Sequence, residues 1–207
     1  MMVVQMLGVL AVVLTFARLG SQPWHNLRSG HLDGVSATAL GNNLVSDVFW
    51  LWFGLQAGLA PVWIVAVLVL PIDVLSMVVV RSRINRWTMA SAAAWTVALA
   101  GAWWFAGLSG LGALLVVSVA VVMAPQLLAV IRYPRLTGLS LVTVGLSLAD
   151  AAVWGVYGAM AGDVTLVFYG VVLAVGATVI GWRVMATSLS GRDGSAAPGV
   201  AAYTSQP

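Results

Sequence analysis

Seven stretches of mostly apolar residues run along this chain of 207 residues, and they restrict its fold more than any other feature. Each is about 20 residues long, the length that an α-helix needs to cross the hydrocarbon core of a bilayer. The tail at 188–207 is rich in Gly, Ser, Ala and Pro and is predicted to be disordered. The predicted membrane helices cover residues 3–26, 36–57, 61–80, 87–107, 111–131, 139–160 and 163–186.

The composition excludes a soluble domain. Charged residues make up 7% of the chain and apolar residues 61%, whereas a soluble globule carries about 25% charged residues to face water. The chain has no cysteine, no glutamate and two histidines, so it offers no metal-ligand cluster and no nucleophile–base pair. We therefore predict a membrane protein surrounded by lipid that is not an enzyme and has no cofactor, metal or nucleic-acid partner.

The placement of the arginines predicts the orientation. All but one of them lie after the first, third and fifth predicted helices or at the end of the seventh, and the linkers on the other side contain none. Because positive residues accumulate on the cytoplasmic side, we predict that the N-terminus lies outside and the C-terminus in the cytoplasm, in the plasma or inner membrane. These arginines are Arg28, Arg81, Arg83, Arg86, Arg132, Arg135, Arg183 and Arg192.

The chain also contains an internal repeat. At an offset of 104 residues, 11 of the 38 positions between 21–58 and 125–162 are identical, and Trp50/Trp154 is among them. Two units in the same orientation need an odd linker helix between them. We predict an all-α membrane protein of seven transmembrane helices, built as two parallel three-helix bundles joined by a linker helix (3+1+3). The predicted divisions are 1–82, 83–109 and 110–187, followed by the tail.

Three motifs of the second repeat are similar to those of a known superfamily. They read Ala124-Pro125-Gln126, then Arg132 with Thr137-Gly138-Leu139-Ser140, then Trp154-Gly155-Val156-Tyr157-Gly158. The chain resembles the PQ-loop superfamily, and within it the SWEET and SemiSWEET sugar transporters, over nearly all of residues 1–187. The resemblance implies a 3+1+3 carrier with alternating access. The first repeat has a degraded version: Ser21-Gln22-Pro23, Asp33-Gly34-Val35-Ser36 and Trp50-Leu51-Trp52-Phe53-Gly54.

The resemblance also implies a sugar pocket between the two repeats. Trp50 and Trp154 occupy the position that lines this pocket in the family, where an indole stacks on the sugar ring. The alternative for both is a core or lipid-facing role. The family usually places asparagines on two further helices, at the positions of Ala66 and Gly170 in this chain. Their absence predicts that the polar contacts have moved, or that the solute is not an ordinary sugar.

Two proline–glutamine pairs are predicted to act in gating. Pro23 and Pro125 each remove a backbone hydrogen bond from a membrane helix, and the adjacent amides of Gln22 and Gln126 are able to satisfy the carbonyl that is set free. Tyr157 is grouped with them as a gating residue. The alternative to a hinge is a static kink.

Buried acids mark further candidates, because a carboxylate at the centre of a membrane helix costs about 2.5–3.5 kcal/mol on insertion scales. Asp47 shares a helix face with Asn43, and Asp150 shares one with Trp154. We predict that Asn43, Asp47 and Asp150 line the pocket and bind solute hydroxyls or a proton, the alternative being a hydrogen bond between helices.

One ion pair is predicted to have a structural role. Arg18 and Asp73 are both absent from the second repeat, where Val122 and Ala177 replace them, so we predict that they pair with each other.

Together these features predict a transporter of a small polar solute, and the first hypothesis for this solute is a mono- or disaccharide. Carriage of an amino acid or another small metabolite, with or without a coupled proton, is the second hypothesis. A receptor or assembly factor without transport is the third. The sequence is compatible with a homo-oligomer as well as with a monomer.

Overall fold

A computed structural model describes the backbone of residues 2–29, 36–132 and 141–193, and the side chains of 2–19, 36–123, 144–183, 185 and 186. Within these ranges the chain forms α-helices joined by short turns, with a single 3₁₀ turn at Arg81–Arg83. The α-helices are α1 (Met2–Ser29), α2 (Ala37–Gln56), α3 (Ala60–Val79), α4 (Arg86–Arg132), α5 (Leu141–Ala161) and α6 (Val164–Asp193).

The prediction of seven helices in a 3+1+3 layout is wrong, because the described residues form six α-helices. The segments predicted at 87–107 and 111–131 belong to one element of 47 residues, α4. A straight helix of that length would measure about 70 Å, but the backbone leaves helical geometry at Gly107 (φ 61°, ψ −149°). Glycine permits this left-handed φ at little cost. The loop predicted between these two segments is therefore a break inside α4.

Gly107 divides α4 into two arms with different neighbours. In the N-terminal arm, Ser91 exchanges hydrogen bonds with Asn42 of α2. In the C-terminal arm, Gly112 lies directly against Thr165 of α6. Both arms therefore have tertiary partners, which stabilises the break between them.

The α2–α3 and α5–α6 turns have the same geometry at the 104-residue offset. Each ends in a glycine with positive φ, Gly58 at 68° and Gly162 at 72°. The next residue donates a backbone hydrogen bond to a helix glycine, Leu59 to Gly54 (2.9 Å) and Asp163 to Gly158 (2.8 Å). This is the 6→1 bond of a Schellman cap. The sequence repeat thus corresponds to a structural repeat in these two hairpins.

In the described part of the chain, five helices, all except α2, are long and apolar enough to cross a membrane by length and composition. Large apolar side chains lie on their outer faces, among them Met6, Val97, Phe168 and Val175. Such surfaces are typical of contact with lipid. The structure is thus compatible with a multi-pass membrane protein.

Helix α2 differs because it carries more polar residues, and several of them bond to neighbouring helices. Asn42 bonds to Ser91 of α4, and Trp95 of α4 donates to Ser46 at 2.9 Å. At the other end of the chain, α6 extends to Asp193, so the predicted tail begins too early. Residues 194–207 lie outside the described part of the chain.

Candidate functional site

A cavity of about 140 Å³ lies inside the helix bundle, and all six α-helices contribute to its wall. This is roughly ten times the volume that one water molecule requires. The part of the wall that α3 contributes is apolar and includes Val62, Ala66 and Val69. The polar and aromatic wall consists of Thr15, Arg18, Asn43, Ser46, Asp47, Trp50, Ser118, Trp154 and Tyr169.

A buried salt bridge joins α1 to α5 beside this cavity. Arg18 Nε donates to Asp150 Oδ2 at 2.8 Å, and the Asp150 side chain is fully buried. Thr15 donates to the other carboxylate oxygen at 2.6 Å. Because both carboxylate oxygens accept a hydrogen bond, the cost of burying this charge is largely offset.

Trp154 and Tyr169 extend this network to the aromatic wall. The Trp154 indole Nε1 donates to Thr15 Oγ1 at 2.8 Å, and Arg18 donates to the Tyr169 hydroxyl at 3.2 Å. The network therefore connects α1, α5 and α6 through side chains whose donors and acceptors match.

Three aromatic rings meet at the cavity: Trp50 of α2, Trp154 of α5 and Tyr169 of α6. Tyr169 makes edge-to-face contacts with Trp50 (5.8 Å between centroids) and with Trp154 (6.0 Å). The two repeat-related indoles thus lie on either side of one phenol ring. Rings in this arrangement present both apolar faces and polar N–H or O–H groups to a neighbour.

A second polar cluster joins α2 to α3. The side-chain nitrogen of Asn43 donates to Asp47 at 2.9 Å, and it lies 3.4 and 3.5 Å from the two carboxylate oxygens of Asp73. The two carboxyl groups therefore share one amide nitrogen, which places them close to each other. Asp47 lines the cavity, whereas Asp73 lies behind it with 8% of its surface exposed.

The predicted pairing of Arg18 with Asp73 is wrong. Arg18 forms its salt bridge with Asp150, and Asp73 is held by Asn43. Helix α1 packs against both α3 and α5, so an acid was within reach on either side, and the guanidinium lies on the α5 side. Asp150 was predicted to line the pocket; it is instead sealed beneath Thr15 and Arg18.

All but one of the other predicted pocket residues line the cavity: Asn43, Asp47, Trp50, Ala66 and Trp154. Their binding of a solute stays a prediction.

Gly170 is not among the lining residues, because it packs against the backbone of α5: a Cβ added there would lie 2.6 Å from the Ala151 carbonyl oxygen. An asparagine has no room at this position.

The predicted gating residues are only partly described. Helices α1 and α4 run through positions 23 and 125, but the side chains of Gln22, Pro23, Pro125 and Gln126 lie outside the described residues. Tyr157 is buried and contacts Trp154 edge to face at 5.9 Å, so it belongs to the core under the cavity.

Sequence reasoning missed four polar residues of the site: Thr15, Ser46, Ser118 and Tyr169. Thr15, Ser46 and Ser118 are common, uncharged residues in mostly apolar helices, and nothing in the sequence distinguishes them. Tyr169 carried a signal, because a phenol in a membrane helix needs a partner for its hydroxyl when it is buried. Its partner, Arg18, lies 151 positions away in the sequence.

No protein-family model and no characterised relative matches the chain.

Proposed function

We propose that this protein is a membrane transporter that carries a small polar solute, most readily a mono- or disaccharide, through the central cavity. The observation that carries the proposal is the cavity wall itself. It combines three aromatic rings with amide, hydroxyl and charged groups inside a bundle whose outer surface is apolar. Aromatic faces with a few polar groups are what a sugar ring needs. The resemblance to the SWEET transporters supports the same class of solute.

In this proposal the solute stacks against Trp50, whose ring lines the cavity without being fully buried. Trp154 is 4% exposed and bonded to Thr15, so it shapes the wall from behind. Movement of the helices around the solute exposes the cavity to each side of the membrane in turn. We place the N-terminus outside and the C-terminus in the cytoplasm of a plasma or inner membrane, on the arginine pattern.

A zwitterionic amino acid is the second candidate. Arg18 and Asp47, a basic and an acidic residue, both line the cavity. A carboxylate and an ammonium group on one small solute would complement them.

Uptake into proteoliposomes tests the proposal. We expect labelled glucose, sucrose or alanine to exchange across the membrane only when the protein is present. Absence of exchange for the whole panel would favour the receptor or assembly role over transport.

Trp50→Ala is the matching substitution. We expect the solute concentration that gives half-maximal exchange to rise about tenfold, because the ring contact with the solute is lost. Trp52→Ala is the control: Trp52 lies on the same helix, is 38% exposed and contacts Trp103 rather than the cavity. Equal half-saturating concentrations in the two variants would contradict the assignment of Trp50 to the solute contact.

A further inference from the structure

Among the described residues, acids outnumber bases around the cavity. Three acids, Asp47, Asp73 and Asp150, lie at or beside it, and Arg18 is the one cation among the described residues of its wall. That cation is in a salt bridge with Asp150. The Asp47–Asp73 pair is therefore left with an amide, Asn43, and no cation within hydrogen-bonding distance among the residues described.

Two carboxylates that share one amide donor are difficult to keep fully ionised. Asn43 presents the same amide nitrogen to both acids, at 2.9 Å from Asp47 and 3.4 Å from Asp73. An ionised carboxylate only accepts hydrogen bonds, so two ionised acids here would compete for this donor, whereas a proton on one of them removes the competition. In a medium of low dielectric, like charges this close favour sharing one proton over ionising twice.

The pair is connected to the cavity on one side only. Asp47 and Asn43 line it, so a proton held between the acids exchanges with water in the cavity through Asp47. In the part of the chain whose side chains are described, the ionisable groups facing Asp47 from α1, α5 and α6 are Arg18 of α1 and Tyr169 of α6, with Asp150 of α5 behind Arg18. The cavity residues of the described part of α4 carry no ionisable group: they are Ser118, Val119, Val122 and Met123.

We propose that Asp47 and Asp73 together form a proton-binding site, and that the transporter moves its solute in the same direction as one proton. The inference rests on the proposed transport function. The cavity closes around the solute only when the acid pair holds its proton, since closing over two carboxylates would bury an uncompensated charge. The proton enters at Asp47 with the solute and leaves from Asp47 when the cavity opens to the other side.

Transport driven by a pH gradient tests the site. With acid outside, wild-type proteoliposomes should accumulate labelled solute from the glucose, sucrose and alanine panel by up to about tenfold for each pH unit, the limit for one proton per solute. Asp47→Asn and Asp73→Asn should each abolish accumulation, and Asp73→Asn, whose side chain lies behind the cavity wall, should retain solute exchange without a gradient.

Asp163→Asn is the matched control. Asp163 caps α6 by accepting a hydrogen bond from the Leu166 N–H at 2.9 Å and does not line the cavity, and asparagine caps a helix equally well. Accumulation by this variant should equal that of the wild type. Wild-type levels of accumulation in Asp47→Asn and Asp73→Asn would overturn the proposal.

A measurement on the wild type alone covers the case in which a variant does not fold. Addition of solute outside, with equal pH on both sides, should acidify the lumen as reported by an enclosed pH dye. Solute exchange without acidification would overturn the proton site and leave the transport function standing. Absence of exchange in the wild type would overturn both.

Discussion

Asp150→Ala will destabilise the protein by about 3–5 kcal/mol, because it removes a fully buried carboxylate that neutralises a partly buried arginine. Arg18 and Thr15 both donate to Asp150, whose side chain is fully buried. The substitution therefore removes the counter-ion of Arg18 and the acceptor of the buried Thr15 hydroxyl. The midpoint of thermal unfolding in detergent should fall sharply.

A double-mutant cycle identifies the partner of Arg18. Arg18→Met combined with Asp150→Leu should recover more than half of the loss caused by either single substitution, because an apolar pair replaces the ion pair. The parallel cycle with Asp73→Ala should give a coupling energy within about 0.5 kcal/mol of zero. A larger coupling of Arg18 to Asp73 than to Asp150 would contradict the observed salt bridge.

Gly170→Ala is expected to cost about 1–3 kcal/mol through overpacking. The backbones of α5 and α6 meet here: an added Cβ would lie 2.6 Å from the Ala151 oxygen and 2.9 Å from both the nitrogen and Cα of Gly155. Backbone atoms inside a helix have no room to retreat, so the two helices must separate. Thermal unfolding measures the loss.

Gly176→Ala, on the same helix, is the control. Its added Cβ would meet the end of the Met123 side chain, at 2.6 Å from Cε. A flexible methionine is able to move aside, and alanine favours a helix by about 0.5–1 kcal/mol over glycine. We expect little change in stability. If Gly170→Ala is as stable as Gly176→Ala, the close packing of α5 on α6 is wrong.

Local patterns in the sequence predicted local features well. Apolar runs located most helices to within a few residues, and i,i+4 spacing correctly brought Asn43 to Asp47. The identity of Gly54 and Gly58 with Gly158 and Gly162 corresponds to two turns of the same geometry. In each case the physical cause lies within a few residues of the chain.

Features that depend on distant contacts were not predictable in this way. Arg18 had acids available on α3 and on α5, and the choice between them depends on the packing of α1. Gly107 looked like the end of a helix, whereas the backbone breaks there inside α4. Ala66 and Gly170 are related by the repeat, yet only Ala66 lines the cavity.

Thiol accessibility tests the central claim most directly, because the chain contains no cysteine of its own. In Ala66→Cys the thiol would lie on the cavity wall, whereas in Val67→Cys it would lie on the outer, apolar face, where Val67 is 48% exposed. A charged, membrane-impermeant reagent needs a hydrated thiolate to react.

We predict that the reagent modifies Ala66→Cys from either side of the membrane, and that a transported solute slows the reaction. Val67→Cys should stay unmodified. A thiol at position 66 that reacts no faster than one at position 67 would contradict a water-filled passage through the bundle.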